Sequence, residues 1–305
     1  MPLALIAEQL LNGLQLGLML FLLAAGLTLV FGIMDMINLA HGSLYMIGAY
    51  VAASVTAASG SFVLGIAGAI AGTALVAVAL ETTLLRRLYR RSHLSQVLAT
   101  FALILIANEI VRMIWGAQPI LANAPAGLAG PVDLGGFRYP AYRLVVIGAG
   151  LATALLLYIL VTRTRAGMWV RAGAADREMA EVMGVDVRRL FTLVFAIGAA
   201  LCAVAGALLG PLLAVQVGMG ENILILAFVV VTIGGIGSIR GALIGALLVG
   251  LVDTAGRAFL PLLFRAAFPP AVAAEAGPAV ASMSIYLVMA AVLYFRPSGL
   301  FPARG

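Results

Sequence analysis

The sequence contains no lysine: all 18 of its basic residues are arginine. The phosphate-binding loop of nucleotide hydrolases sets a lysine against the phosphates, so this chain cannot carry an ordinary ATP site of that kind. Histidine is nearly missing too. His41 and His93 stand alone, and neither has an HExxH-like spacing. A single cysteine, Cys202, excludes an internal disulfide framework and a thiolate metal site; among apolar neighbours it reads as a small packing residue. With neither a Cys cluster nor a Ser-His pair suggested by spacing, the sequence supports no metal site and no catalytic site. Charge is scarce as well, at 10% of residues, where a soluble domain carries about 25%.

What is present is hydrocarbon. Of the 305 residues 64% are hydrophobic, and the mean hydropathy is +1.15. That composition belongs to an integral membrane protein. Each crossing of a bilayer core of about 30 Å takes roughly 20 helical residues. The length therefore predicts an all-α, polytopic helix bundle of about eight to ten spans, some of them broken or re-entrant, in one transmembrane domain over 1–305. Apolar runs lie near 8–32, 43–60, 62–84, 95–115, 143–162, 191–215, 222–239, 241–258 and 279–295. The N-terminal MPLALIAEQLLNG lacks a basic leader and contains Glu8, so it is expected to be retained.

The net charge of +6 is distributed between apolar runs instead of forming a nucleic-acid-binding patch. Arg86, Arg87, Arg90 and Arg91 fall in one loop, and Arg163, Arg165, Arg171, Arg177, Arg188 and Arg189 in another. Two spans separate these loops, which puts them on one side, cytoplasmic by the positive-inside rule. Four further spans bring Arg296 and Arg304 to that side and leave the N-terminus outside. The Pro- and Gly-rich stretches 116–142 and 259–278 are then predicted to be irregular outer loops, either connectors or contacts for an external partner.

The most informative stretch is 26–50, GLTLVFGIMDMINLAHGSLYMIGAY. An unmatched Asp in hydrocarbon costs about 2.5–3.5 kcal/mol on insertion scales, so such groups face a protein interior or a wet path. As a helix, Asp35, Asn38, His41 and Tyr45 would share one face. Gly32 and Gly42 bracket the polar stretch and predict a bend or stop. Topology brings Asp35–Ser43 near the cytoplasmic end of the first span, which makes a wet, re-entrant turn the competing reading. Small residues recur at four-residue steps in two seams, Gly198, Cys202, Gly206 and Gly210, and Gly237, Gly241 and Gly245. Such seams let helix backbones approach closely. The layout of 226–250 faintly echoes that of 26–50, as paired broken helices do in transporters with internal repeats.

Between about 163 and 190 the chain reads RTRAGMWVRAGAADREMAEVMGVDVRRL. Asp176 and Glu178 suit the positive end of a short helix, and Gly184 suits its C-terminal stop. Ala175, Met179, Val182 and Met183 would form one apolar face. A short amphipathic helix between charged flanks is either a docking element or an interfacial helix on headgroups.

Together GLTLVFGIMDMINLAHGSLYMIGAY, RAGAADREMAEVMGVDVRRLFTLVFAIGAALCAVAGALLGP and GGIGSIRGALIGAL, in that order, resemble the permease subunits of branched-chain amino acid ABC importers over nearly the whole chain. The resemblance implies a multi-pass bacterial inner-membrane subunit that moves substrate by alternating access. Its expected partners are a second permease subunit (a similar chain or itself), two cytoplasmic ABC ATPases, a periplasmic solute-binding protein and the lipid bilayer, with no nucleic acid. No cofactor is expected on this chain; ATP and Mg would sit on the partner ATPase subunits. Asp176, Glu178, Met179, Glu181, Met183 and Gly184 then become the expected ATPase-coupling segment. Asn38, His41, Ser43, Asn108 and Gln216 are candidates for the substrate path or gate, and Gly32, Gly42, Gly206, Gly210, Gly237, Gly241 and Gly245 for helix packing or hinges.

Three competing functions remain. A related ABC permease for urea or short amides shares these motifs. A stand-alone secondary transporter or channel would use Asp35, Glu109, Glu221 or Asp253 as proton or ion sites, although all four can sit at span ends. An intramembrane enzyme has the least support, since His93 reads as interfacial beside Arg90 and Arg91.

Overall fold

The computed structural model describes residues 3–301 apart from Arg90 and Gly136, so Arg90 and Arg304 lie outside the described residues. The chain is an all-α, polytopic bundle: α1 (Leu3–Met34), α2 (His41–Ser59), α3 (Phe62–Leu80), α4 (His93–Trp115), α5 (Ala141–Arg163), α6 (Arg165–Ala175), α7 (Arg177–Val182), α8 (Val187–Leu209), α9 (Met219–Gly234), α10 (Ile239–Ala267) and α11 (Pro270–Phe295). A π turn over Glu81–Leu85 continues α3 into the short helix Arg86–Leu88. The one sheet among the described residues is an antiparallel hairpin, β1 (Pro131–Asp133) on β2 (Arg138–Pro140).

The helices begin where side chains satisfy orphan N–H groups. Ser61, Ser92, Thr164, Asp176, Asp186 and Ser238 each accept from the backbone N–H three residues on. Among the described residues, seven helices are long and apolar enough to cross a membrane. The nine apolar runs map onto these seven plus α2 and α9. At 16 residues, α9 spans only about 24 Å, short of a bilayer core.

α1 is the hub. Leu20, Leu22, Leu23, Ala24, Ala25 and Val30 are fully enclosed, surrounded mainly by α10, α8, α9 and α5. α10 runs antiparallel to it: Gly17 lies against Ala246 and Leu247, Gly13 against Gly250 and Leu251, and Gly32 against Gly237. The outer faces of α4 and α11 instead expose Leu98, Phe101, Leu105, Met283 and Leu287, as lipid-facing helices do. The Gly-rich seams work through direct backbone approach. Gly206 meets the Tyr45 carbonyl and Ala49 of α2, Gly241 meets Gly234, Gly245 meets the Val230 carbonyl, and Gly210 lies against Val215 at the end of α8.

Two expectations change. The stretch 26–50 is not one helix: α1 ends at Met34, Asp35 takes a left-handed φ of 49°, and α2 begins only at His41. The stretch 259–278 is largely helical, because α10 continues through Pro261 to Ala267 and α11 starts at Pro270. Proline is tolerated there because the first-turn N–H of α11 is unpaired in any case, while Gly277 gives Pro261 the space to pack. The stretch 116–142 is irregular apart from a short 3-10 turn and the hairpin. It is pinned by paired backbone bonds between Ile120 and Val215.

Candidate functional site

The break after α1 returns the chain into the bundle. Asn38 Oδ1 accepts the Ala40 N–H at 3.0 Å, closing a local turn that frees the backbone from the helix. His41 then packs with Nε2 3.1 Å from Cys202 Sγ. A Cβ on Gly26 would come within 2.9 Å of both that imidazole nitrogen and the Gly198 carbonyl. Gly198 is the midpoint of α8, so α2 begins deep inside the bundle and runs beside α8 in the same direction. The polar stripe is thus more deeply buried than a wet turn would be. Asn38 and His41 have no exposed surface, Ser43 and Tyr45 are nearly as enclosed, and only Asp35 is exposed.

A second return mirrors the first. After α8 ends at Leu209, residues 210–218 turn back from the hairpin end of the bundle, and α9 starts with Gly218 at φ 84°. The two inner starts touch. A Cβ on Gly42 would overlap the Gly220 carbonyl, a Cβ on Gly220 would overlap the Gly42 carbonyl, and the Gly218 N–H points at Met46 Sδ, 3.4 Å away. Only glycine at both positions permits this crossing. The echo seen in 226–250 corresponds to the α9–α10 turn, whose Gly237 lies against Gly32. The segment whose layout matches 35–40 is 210–218. Two half-helices that start inside the bundle place the positive ends of their dipoles there.

Two other candidate path residues lie against the start of α9 and in its return. Asn108 Nδ2 donates to Glu221 Oε1 at 2.7 Å on the outer half of α4, and Gln216 is exposed in the return segment. Neither side chain hydrogen-bonds Asn38 or His41 among the described residues. Of the four carboxylates weighed as ion sites, Asp253 pairs with Arg257, Glu109 with Arg112 and Glu221 with Asn108, while Asp35 is exposed.

The Arg-rich end carries the segment 163–190. α7 is capped by Asp176, whose Oδ1 accepts the Met179 N–H at 2.9 Å, and the turn after it closes on Gly184 at φ 89°. Ala180 packs inward, whereas Met179, Val182 and Met183 are 58%, 82% and 79% exposed. Glu178 and Glu181 are exposed beside them. A six-residue helix that turns its apolar side chains outward lacks a partner within the described residues.

Sequence reasoning missed the carboxylate next to this segment. Glu81 is fully buried on the π turn. It accepts from Arg86 Nε at 3.3 Å and Nη2 at 3.0 Å, from Tyr89 OH at 2.9 Å and from Thr192 Oγ1 at 2.7 Å. Burial first, and then the Glu81 charge, push the Tyr89 phenol above its ordinary range, so it stays protonated and donates. The network ties the end of α3 to the start of α8, immediately after the segment 163–190. A Glu five residues before an Arg at a span end was the available signal.

A bundle with a buried hub, two half-helices meeting inside it, a lipid-like outer surface and an exposed amphipathic helix at its Arg-rich end has the architecture of a polytopic membrane transport protein. The family described as branched-chain amino acid transport system / permease component matches residues 9–293, and the chain belongs to it. Similar curated proteins include the high-affinity branched-chain amino acid transport system permease protein LivH of Salmonella typhimurium, 33% identical over 279 residues, which cover 85% of this chain and 88% of that protein. The corresponding permease protein BraD of Pseudomonas aeruginosa is 32% identical over 262 residues, 82% of this chain and 85% of that protein. Over a shorter stretch of 156 residues, 48% of this chain and 41% of the relative, the fructose import permease protein FrcC of Rhizobium meliloti is 34% identical.

Proposed function

We propose that this chain is the membrane-spanning permease subunit of an ATP-driven importer for branched-chain amino acids, passing substrate from a periplasmic binding protein to the cytoplasm. The full-length relatives carry that substrate class in their names. The Arg-rich end, with Arg86, Arg171, Arg188, Arg240 and Arg296, is the cytoplasmic end by the positive-inside rule, which leaves the β hairpin in the periplasm. Lacking any lysine for a phosphate loop, the chain relies on two partner ATPases to hold and hydrolyse ATP with Mg. A second permease subunit completes the membrane domain.

The observation that carries this reading is the outward-turned apolar face of Met179, Val182 and Met183 on a rigidly capped helix at the Arg-rich end. This helix seats in the ATPase, and α5 and α8 on either side of it transmit closure to the two half-helices. Alternating access follows as these elements rock. The crossing of Gly42 and Gly220 is the gate's pivot, with Asn38, His41 and Ser43 fixing the break beside it.

The test is coupling. Gly184→Val forces a β-branched residue into the left-handed region, at about 1–2 kcal/mol, and Glu181→Arg reverses charge on the docking face. Both variants should insert normally yet lose uptake and the stimulation of ATPase activity by loaded binding protein. Unchanged uptake and stimulation in both would refute the docking role.

A further inference from the structure

The cleft that opens at the hairpin end between α1, α5 and α10 carries both signs of charge over an apolar floor. It encloses about 560 Å³, within the range of small-molecule sites. On one wall Arg257 Nε bonds both carboxylate oxygens of Asp253, at 3.0 and 2.9 Å. The Arg257 side chain is 59% exposed while that of Asp253 is 10% exposed, and its two terminal amino groups have no hydrogen bond among the described residues. Opposite, Arg143 Nη1 and Tyr139 OH both donate to Asn12 Oδ1, which leaves the rest of the Arg143 guanidinium facing the cleft it lines. Gln15 also lines the cleft. It is 6% exposed, and its Oε1 is buried without a donor. Such an acceptor demands a partner.

The remaining lining is aliphatic: Leu16, Leu209, Leu212, Leu213 and Ile223. Ile223 lies one turn into α9, and the neighbouring Leu224 touches Gly42, so the floor of the cleft adjoins the point where the half-helices meet.

We infer that this cleft is an entry subsite for a zwitterionic α-amino acid with an aliphatic side chain. The ligand carboxylate pairs with the free guanidinium groups of Arg143 and Arg257, two planar forks suited to it. The ligand ammonium donates to Asp253 and to the orphan Gln15 Oε1. The side chain lies against the leucines. Two cations against one carboxylate leave the empty site net positive, which draws the carboxylate end in first. The inference rests on the importer reading above and gives it a substrate contact within this chain.

The experiment is ATP-driven leucine uptake by the reconstituted importer, with its ATPases and binding protein, measured with Gln15→Leu and with Leu213→Trp. The first removes the orphan acceptor at equal bulk; the second fills the cleft from an exposed position. Each should leave the complex monodisperse and lower leucine uptake per complex at limiting substrate by roughly 10- to 100-fold. In purified complex without binding protein, leucine should bind saturably, and neither its methyl ester nor 4-methylpentanoate should compete, since each lacks one charge. Unaltered uptake in both variants overturns the site while the importer reading stands. Competition by both analogues equal to that of leucine overturns it too. Wild-type importer that takes up no branched-chain amino acid under ATP refutes the importer reading instead.

Discussion

Replacing Gly42 or Gly220 by alanine tests the crossing on which the half-helices depend. A methyl at Gly42 would overlap the Gly220 carbonyl oxygen and come within 2.9 Å of its carbon and 3.0 Å of Leu224 Cβ. Carbon contacts settle near 3.5–4.0 Å, so the two backbones must separate by on the order of 1 Å. Overpacking of that kind costs about 1–3 kcal/mol. The expected fall in Tm is roughly 3–10 °C. Gly148 is the control, a helical glycine with nothing near its missing Cβ, where alanine should be neutral or stabilise by up to about 1 kcal/mol. The assay is thermal unfolding of the purified complex, paired with uptake. Tm within 1 °C of wild type, on the order of the measurement error, for both Gly42→Ala and Gly220→Ala would show that the close approach is not there.

Glu81→Ala removes the acceptor shared by Arg86, Tyr89 and Thr192 and loosens the junction of α3 with α8; a loss of about 1–3 kcal/mol is expected, read as a lower Tm with α1 and α10 unaffected by hydrogen exchange. Asn38→Ala removes the acceptor for the Ala40 N–H and should cost about 0.5–1.5 kcal/mol. If Asn38 and His41 shape the break and do not contact solute, the double substitution to alanine should lower Vmax and leave the KM for substrate unchanged; a raised KM would make them path residues.

Much of this was legible in the chain. Composition fixed a membrane bundle, because 10% charge over 305 residues admits no soluble core. The cap at Asp176 and the stop at Gly184 could be read because they act within three or four residues. The burial of Asn38 and His41 could not. It depends on the chain returning into the bundle after Asp35, and a return is set by what α8 and α9 offer as packing partners, which periodicity does not encode. The same reason hid 210–218 as the counterpart of 35–40, since the layouts match while the residues do not. The entry cleft was out of reach because Gln15, Arg143 and Asp253 come from three distant helices. One local trace existed, the Asp253 and Arg257 pair at i,i+4 on an apolar helix, which as a span-end carboxylate was read in isolation.

Whether partner ATPases drive solute through this chain is decided by uptake of labelled leucine into proteoliposomes, comparing the chain alone under proton and sodium gradients with the chain joined to a second permease, two ATPases and binding protein. Uptake is expected only in the full assembly and only with ATP and Mg. Gradient-driven uptake by the chain alone would contradict it.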